Sequence, residues 1–264
     1  MAVSDALVVG EDWISEHYLT TDTTKESFLA RVLERRKEWE ALEKPVDPST
    51  APTPTPRSRF RSERAHLEEL LAALPADDAG SLTAAALEAA GQLDALLREI
   101  LGFASSEYRL TERGPVTLVR PVGDEGPAPL ALLRARPVTT VEDLLVKDAL
   151  TLAEAWEPVD LGDPTAPVLE GAEPVESVSR ALSTLMTDEH GPAFALVLAG
   201  QWALVAERER WPEGRWLAVN VQLVVERHET TRGGEVERAL TCLDARSLLP
   251  TAEGETWWAA TLED

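Results

Sequence analysis

The chain has 264 residues, and its 25 Lys and Arg against 47 Asp and Glu give a formal charge of −22. That length suffices for one large domain or two small ones. The single Cys242 excludes a disulfide framework. With no apolar run near the roughly 20 residues of a membrane span, and no secretory signal pattern, a cytoplasmic protein is expected. The acidic balance argues against tight binding of bare nucleic acid by this chain alone, because phosphate neutralisation requires Lys and Arg.

The first 47 residues are predicted to form an N-terminal helical segment. Thr23 and Glu26 have the spacing of a capping box, and the apolar residues after them share one helical face: Phe28, Leu29, Val32, Leu33, Trp39 and Leu42. Arg31, Arg35, Arg36 and Lys37 give this helix a basic flank. A solvated face is favoured for that flank, and an interaction surface is the alternative.

A proline-rich linker is predicted over residues 48–57, because prolines remove amide donors and favour extended backbone. Two helices should follow. The first is indicated by apolar residues at helical spacing that Pro75 terminates: Phe60, Leu67, Leu70, Leu71 and Leu74. The second should begin at a Ser81 cap and end at Gly102, with a buried stripe of Ala86, Ala90, Leu93, Leu97, Ile100 and Leu101.

After residue 105 the character of the chain changes. Short Val- and Leu-rich segments bounded by Gly and Pro predict strands: TLVRPV, LALLRARPV, AFALVLAG, QWALVAERE, RWLAVNVQLVVERH and VERALTCLD. VEDLLVKDAL and PVESVSRALSTLM are predicted helices between them. The predicted fold class is α+β or mixed α/β, with N-terminal helices and one mixed sheet. Residues 58–264 would then hold the helical pair and the α/β domain.

Motifs for metal, phosphate or nucleophilic chemistry are missing from the sequence. The four histidines lie far apart, and Cys242 sits in an apolar segment that favours a buried, inert thiol. The sequence has no Gly-rich phosphate loop and no GxSxG elbow, so no cofactor is expected. Glu207 and Glu209 alternate with arginines, which is more typical of a solvated strand end than of an acid/base pair.

Eight tryptophans are a high number beside two tyrosines and four phenylalanines. Trp202, Trp211 and Trp216 lie close together among arginines, where they could stack on bases or pack a sheet; packing is favoured. The neighbouring Trp257 and Trp258 should point in different directions on any regular element. This predicts that one of them is covered by sequence or by a partner beyond residue 264.

Two parts of the chain resemble one family. EDWISEHYLTTD, followed by FLARVLERRKEW, resembles the N-terminal region of Eco57I-like restriction–modification adenine-N6 DNA methylases, which include phage-defence relatives. The stretch AFALVLAGQWALVAERERWPEGRWLAVNVQLVVERH, with Gly200 and Trp202 near a turn, is similar to a strand–turn–strand region of the same proteins. SLLPTAEGETWWAATLED is similar to the connector that precedes their methylase.

The resemblance implies a fold similar to a PD-(D/E)xK nuclease. In that chemistry two carboxylates hold Mg²⁺ and a lysine orients the attacking water. Here Asp124 is the best match for the first acid, but Arg134 and Arg136 stand at the expected acid and lysine positions. Because an arginine cannot ligate a metal, the resemblance predicts a degenerate nuclease, with Asp124 as a turn residue. An alternative strand with Asn220 and Gln222 also lacks an acid.

The methylase motifs that the family implies are absent, since the chain has no Pro-Pro dipeptide for an Asn-Pro-Pro-aromatic motif. The expected function is a non-catalytic N-terminal module of a bacterial restriction–modification or phage-defence methylase. Its expected partners are the methylase polypeptide or other defence-system subunits, with DNA placed only within the assembly and no membrane. The candidate interaction residues are Arg31, Arg35, Arg36, Trp211, Trp257 and Trp258.

Two alternatives stay open. The charge of −22 motivates an acidic regulator that imitates DNA and occupies a basic cleft on a defence enzyme. The fold resemblance alone motivates an active Mg²⁺-dependent nuclease with a relocated acid, so whether the chain is an enzyme in its own right stays open too.

Overall fold

The fold is built around a seven-stranded mixed sheet. The computed structural model describes residues 5–11, 13–14, 18–19, 27–47, 49–75, 82–163, 169, 171–251 and 254–262. Its strands are β1 (Leu7–Gly10), β2 (Tyr108–Arg113), β3 (Val116–Pro121), β4 (Leu130–Arg134), β5 (Phe194–Ala199), β6 (Trp202–Glu207) and β7 (Trp216–Asn220). The order across the sheet is β1-β7-β6-β5-β4-β3-β2. Neighbouring strands are antiparallel except β4 and β5, which run parallel and pair Leu132 with Leu196.

The central strands are apolar on both faces because both faces of the sheet are covered. Every residue of β5 is buried, as expected for a strand packed between two layers. Successive residues point to opposite faces. Leu196 therefore belongs to the core on one side of the sheet, and Val197 belongs to the core on the other.

Eight α-helices lie in the described part of the chain: α1 (Phe28–Glu43), α2 (Pro56–Ala72), α3 (Ala84–Ile100), α4 (Val178–Thr187), α5 (Val221–Arg227), α6 (Glu235–Leu243), α7 (Ala245–Leu248) and α8 (Trp257–Leu262). All except α4 contribute to one core with one face of the sheet. Helix α4 and a 3-10 turn at Val141–Leu145 cover the opposite face. None of the described helices has the length and apolar character needed to cross a membrane.

Side-chain caps fix where the first helices begin. The hydroxyl of Ser27 accepts the amide of Ala30 at the start of α1. Thr55 and Ser58 form a reciprocal capping box at the start of α2, with Pro56 as the first helical residue. Helix α2 therefore begins inside the predicted linker 48–57. The expected cap residues Thr23, Glu26 and Ser81 lie outside the described residues; in the structure Thr83 caps α3.

The mixed α+β class with one sheet is confirmed, as are the predicted helices α1 to α4 and the predicted strands β3 to β6. Of the other two predicted strands, one is wrong in part and one is wrong. In RWLAVNVQLVVERH only β7 is extended, because the side chain of Asn220 accepts the amide of Leu223 and starts α5. VERALTCLD forms α6, whose buried Val236, Ala239, Leu240 and Leu243 recur at helical spacing.

Three further differences concern short elements. VEDLLVKDAL forms only the 3-10 turn Val141–Leu145 and not a full helix. The Gly233–Gly234 pair, a dipeptide typical of hairpin turns, here connects α5 to α6, and Gly234 is the N-cap of α6. The edge strands β1 and β2 are not predicted from the sequence, because they are short or largely polar.

Candidate functional site

The residues at the predicted nuclease position make local structural contacts. Asp124 is exposed after β3, and its Oδ1 accepts the amide of Gly126 at 2.8 Å, as in a turn. Arg134, at the end of β4, donates to Glu154 at 2.8 Å and to the carbonyl of Gly114 at 3.1 Å. Nε of Arg136 donates to the carbonyl of Leu152 at 3.2 Å. The two arginines thus hold loops against the sheet.

No cluster of three or more His, Cys, Asp or Glu side chains with metal-site geometry occurs within the described ranges. Cys242, expected in a strand, lies in α6 and is fully buried. Burial, and next the negative charge of Asp244, raise the pKa of this thiol above its ordinary value. The prediction of a buried thiol is confirmed, and a thiolate is disfavoured at this position.

Five of the six predicted interaction residues meet where α1 packs on the C-terminal helices. The buried Arg35 donates to Oγ of Ser247 at 3.1 Å. Arg31 donates to the carbonyl of Ala260 at 3.2 Å. Arg31 and Arg35 of the basic flank thus make contacts within the chain, whereas Lys37 of the same flank is exposed.

Trp257 and Trp258 lie at the same junction. Trp258 is fully buried, and its Nε1 donates to the carbonyl of Cys242 at 2.9 Å. The ring of Trp257 packs against Phe28, with centroids 6.3 Å apart. Trp258 is also in ring contact with Trp13. The same chain covers Trp258, whereas Trp257 is only half-buried, so the expected cover from beyond residue 264 stays a prediction for Trp257.

The sixth residue, Trp211, lies apart from the other five and donates from Nε1 to Oγ of Ser183 on α4. The neighbouring Trp202 and Trp216 are buried in the core on the α4 side of the sheet. Packing, the favoured interpretation of these tryptophans, is confirmed.

A cleft of about 510 Å³ opens between α1, α2 and the connection from α5 to α6. It is lined mainly by charged side chains, with two aromatic rings and a few other residues: Arg36, Lys44, Arg57, Arg61, Glu40, Glu43, Glu237, Phe60, His228, Thr230 and Val236. Of this set, only Arg36 is a predicted interaction residue, and Phe60 is predicted only as part of an apolar helical face. The others come from segments far apart along the chain and share no motif.

Two arginines and three glutamates form an ion-pair network in this cleft. Arg36 contacts Glu40 at 2.8 Å and Glu237 at 2.6 Å. Arg57 contacts Glu43 at 2.6 Å, Glu40 at 3.3 Å and Glu237 at 3.6 Å. The network thus links α1, α2 and α6 through charges that are mostly removed from solvent.

The network favours the ionised form of two of its carboxylates, Glu40 and Glu43. Hydrogen bonds from Arg36 and then Arg57 lower the pKa of Glu40 below its ordinary value. Burial opposes ionisation of Glu43, but hydrogen bonds from Arg57 and Thr55 outweigh it, so the pKa of Glu43 is also lowered. The same hydrogen bond from Arg57 to Glu43 is the main cause of a raised Arg57 pKa. Deprotonated Glu40 and Glu43 therefore face a protonated Arg57 at neutral pH.

His228 lines the cleft and is unusual in its backbone conformation and in the environment of its ring nitrogen Nδ1. It ends α5 with φ +46°, a left-handed conformation that is uncommon for a residue other than glycine. Its ring lies parallel to that of Phe60, with centroids 6.3 Å apart and an interplanar angle of 15°. Its Nδ1 is buried and has no hydrogen-bond partner in the part of the chain that the structure describes.

No family model, curated protein or solved structure matches this chain with significance. The class is accordingly defined by the fold and the cleft: a mixed α+β protein with a sheet between two layers and a charged cleft in its larger helical layer.

Proposed function

We propose that this chain is a non-catalytic N-terminal module of a bacterial DNA restriction–modification or phage-defence methylase. Its role is to dock the methylase polypeptide or other subunits of the system and to help position DNA within the assembly. One observation carries the proposal: the segments that resemble this family at the two ends of the chain pack against each other.

Three contacts join those segments. Trp13, from EDWISEHYLTTD, lies 4.6 Å from Trp258 between ring centroids. Arg31 and Arg35, from FLARVLERRKEW, donate to the carbonyl of Ala260 and to Ser247, which belong to SLLPTAEGETWWAATLED. Segments separated by about the whole chain thus form one packed unit. This packing supports the interpretation that these segments belong to a single module.

The last described helix is held at its carboxyl end from two sides. Arg31 donates to the carbonyl of Ala260, and Arg210, after β6, donates to the carbonyl of Leu262 at 3.0 Å. Arginines at a helix C-terminus satisfy free carbonyls and interact favourably with the helix dipole. A connector held in this way would transmit the position of the module to an enzyme joined to it, which supports a docking role.

The direct test is binding to the methylase polypeptide of the same genome, recognised by its Asn-Pro-Pro-aromatic motif. We expect the two purified polypeptides to co-elute as a stoichiometric complex in size-exclusion chromatography. Arg31→Ala combined with Arg210→Ala should weaken the complex, whereas Lys147→Ala, at an exposed position near α4, should leave it intact. Separate elution of the wild-type polypeptides would contradict the proposal. A complex that DNA dissolves would instead favour the DNA-mimic alternative.

A further inference from the structure

We propose that the cleft between α1, α2 and the α5–α6 connection binds a phosphate-bearing ligand of nucleotide size. This inference goes beyond the docking function and does not depend on it. Three features support it: two cationic side chains without an ion-pair partner in the described part of the chain, the volume of the cleft, and the stacked rings of Phe60 and His228.

Cations are concentrated at the cleft although the chain as a whole is strongly acidic. Four Lys and Arg residues line it against three carboxylates, whereas the chain carries 25 cations and 47 anions. The formal charge of these lining residues is therefore positive. Walls of low dielectric constant concentrate the field of such charges and attract an anion into the cleft.

The carboxylates of the cleft already form ion pairs with arginines of the same cleft. Glu237 is almost fully buried, and it accepts hydrogen bonds from Arg36 and from the amide of Gly233 at 2.8 Å. Glu43 accepts hydrogen bonds from Arg57 and Thr55. These carboxylates neutralise Arg36 and Arg57. The other two cations of the lining can therefore contact a ligand.

Lys44 and Arg61 are the cations available for a ligand. Both side chains are exposed, and neither forms a hydrogen bond or ion pair within the described ranges, although Arg61 lies close enough to help lower the pKa of Glu43. Lys44 follows the end of α1 and Arg61 lies on α2, so the two charges approach the cleft from different helices. Phosphate oxygens are the strong acceptors that match such charge-assisted donors.

The size and the apolar part of the cleft favour an organic phosphate over an inorganic ion. A volume of about 510 Å³ lies within the range of small-molecule sites. Phe60 and His228 add stacked rings to the lining, and the buried Nδ1 of His228 has no hydrogen-bond partner within the described ranges. His228 also has a left-handed backbone at the C-cap of α5, a conformation that is uncommon for residues other than glycine.

Binding is tested by isothermal titration of the full chain with three probes: ATP without magnesium, tripolyphosphate and a short DNA duplex. We expect ATP to bind, and its affinity to fall with added salt because exposed charges are screened. Lys44→Ala combined with Arg61→Ala should weaken binding by at least about tenfold. The matched control is Arg109→Ala combined with Lys147→Ala, which removes the same charge from exposed positions outside the cleft.

A third variant tests the aromatic pair. His228→Asn keeps a residue that tolerates the left-handed conformation and removes the imidazole, so it should weaken ATP more than tripolyphosphate. Circular dichroism and the urea midpoint verify that each variant is folded.

The probes identify the source of the phosphate. Binding of ATP and tripolyphosphate without DNA assigns the cleft to free nucleotides or polyphosphates, whereas binding of DNA that is lost in the Lys44/Arg61 variant assigns it to nucleic-acid phosphates. The proposal is overturned if the folded wild-type chain binds none of the probes at millimolar concentration. It is equally overturned if the control pair weakens binding as much as the cleft pair. Neither result would affect co-elution with the methylase, so the two proposals fail separately.

Discussion

The indole of Trp258 meets that of Trp13 edge to face, with ring centroids 4.6 Å apart and planes inclined at 70°. Both side chains are fully buried. Trp258 also meets Trp257, with centroids 4.8 Å apart, and Trp257 reaches Phe28 at the start of α1. An aromatic cluster therefore joins the first helix, the segment before it and the last helix of the described chain.

Removing Trp258 should destabilise the whole protein. Trp258→Ala leaves a large cavity in the shared core, for which we expect a loss of about 3–5 kcal/mol in the free energy of unfolding. Trp258→Phe keeps most of the ring contact and loses the hydrogen bond to Cys242, so about 1–2 kcal/mol is expected. Urea denaturation measures both values. Equal losses for the two variants would show that ring packing is not the main contribution.

Arg35 should be the most sensitive cation of α1. Burial raises the pKa of Asp244, and the charge of Arg35 at 3.8 Å partly opposes that shift. Arg35→Ala leaves Asp244 and Ser247 buried without this partner, and we expect a loss of about 3 kcal/mol. Lys37→Ala, on the exposed side of the same helix, should change stability by less than about 0.5 kcal/mol. Similar losses for both variants would indicate an effect of helix propensity and not of burial.

Much of the fold follows from apolar spacing, but α6 shows where that signal is ambiguous. VERALTCLD is short and apolar, which fits a buried strand as well as a helix. The helix forms because Gly234 starts it and because α1 packs on it, with Arg36 pairing to Glu237 from 201 positions away in the sequence. Tertiary contacts of this kind override local preference.

The cleft could not be predicted for a related reason. Arg57 falls in a segment whose prolines indicate a linker, and only the capping box at Thr55 places it on the first turn of α2 beside α1. His228 is the last residue of RWLAVNVQLVVERH, a segment that is predicted to be a strand. Its position depends on the helix that Asn220 starts. Residue types at these positions carry no spacing that identifies the site before the chain is folded.

Cys242 should be unreactive until the protein unfolds. It is fully buried in α6, and burial holds its pKa above the ordinary value, so a thiolate is scarce in the native state. We expect the rate of labelling by a chromogenic disulfide reagent to rise by several orders of magnitude in denaturing urea. In Trp258→Ala, labelling under native conditions should accelerate, because Trp258 packs over the carbonyl of Cys242. Fast labelling of the native wild-type protein would show that the junction of α6 and α8 opens readily.

The ion-pair network should give stability that depends on acidity. The pKa of Glu43 is lowered in the folded protein from an ordinary value of 4.5, so the folded state favours the carboxylate. The contribution of ionised Glu43 to stability is fully present above pH 4.5 and is lost as the pH falls through the lowered folded value.

Glu43→Gln should therefore cost about 1–2 kcal/mol of unfolding free energy at neutral pH. The difference from wild type should shrink progressively below pH 4.5. Glu69→Gln, at an exposed position on α2, serves as the control and should lose almost no stability at neutral or at acidic pH. A Glu43→Gln loss that stays constant as the pH is lowered, measured by urea denaturation, would show that the side chain acts through packing and not through its charge.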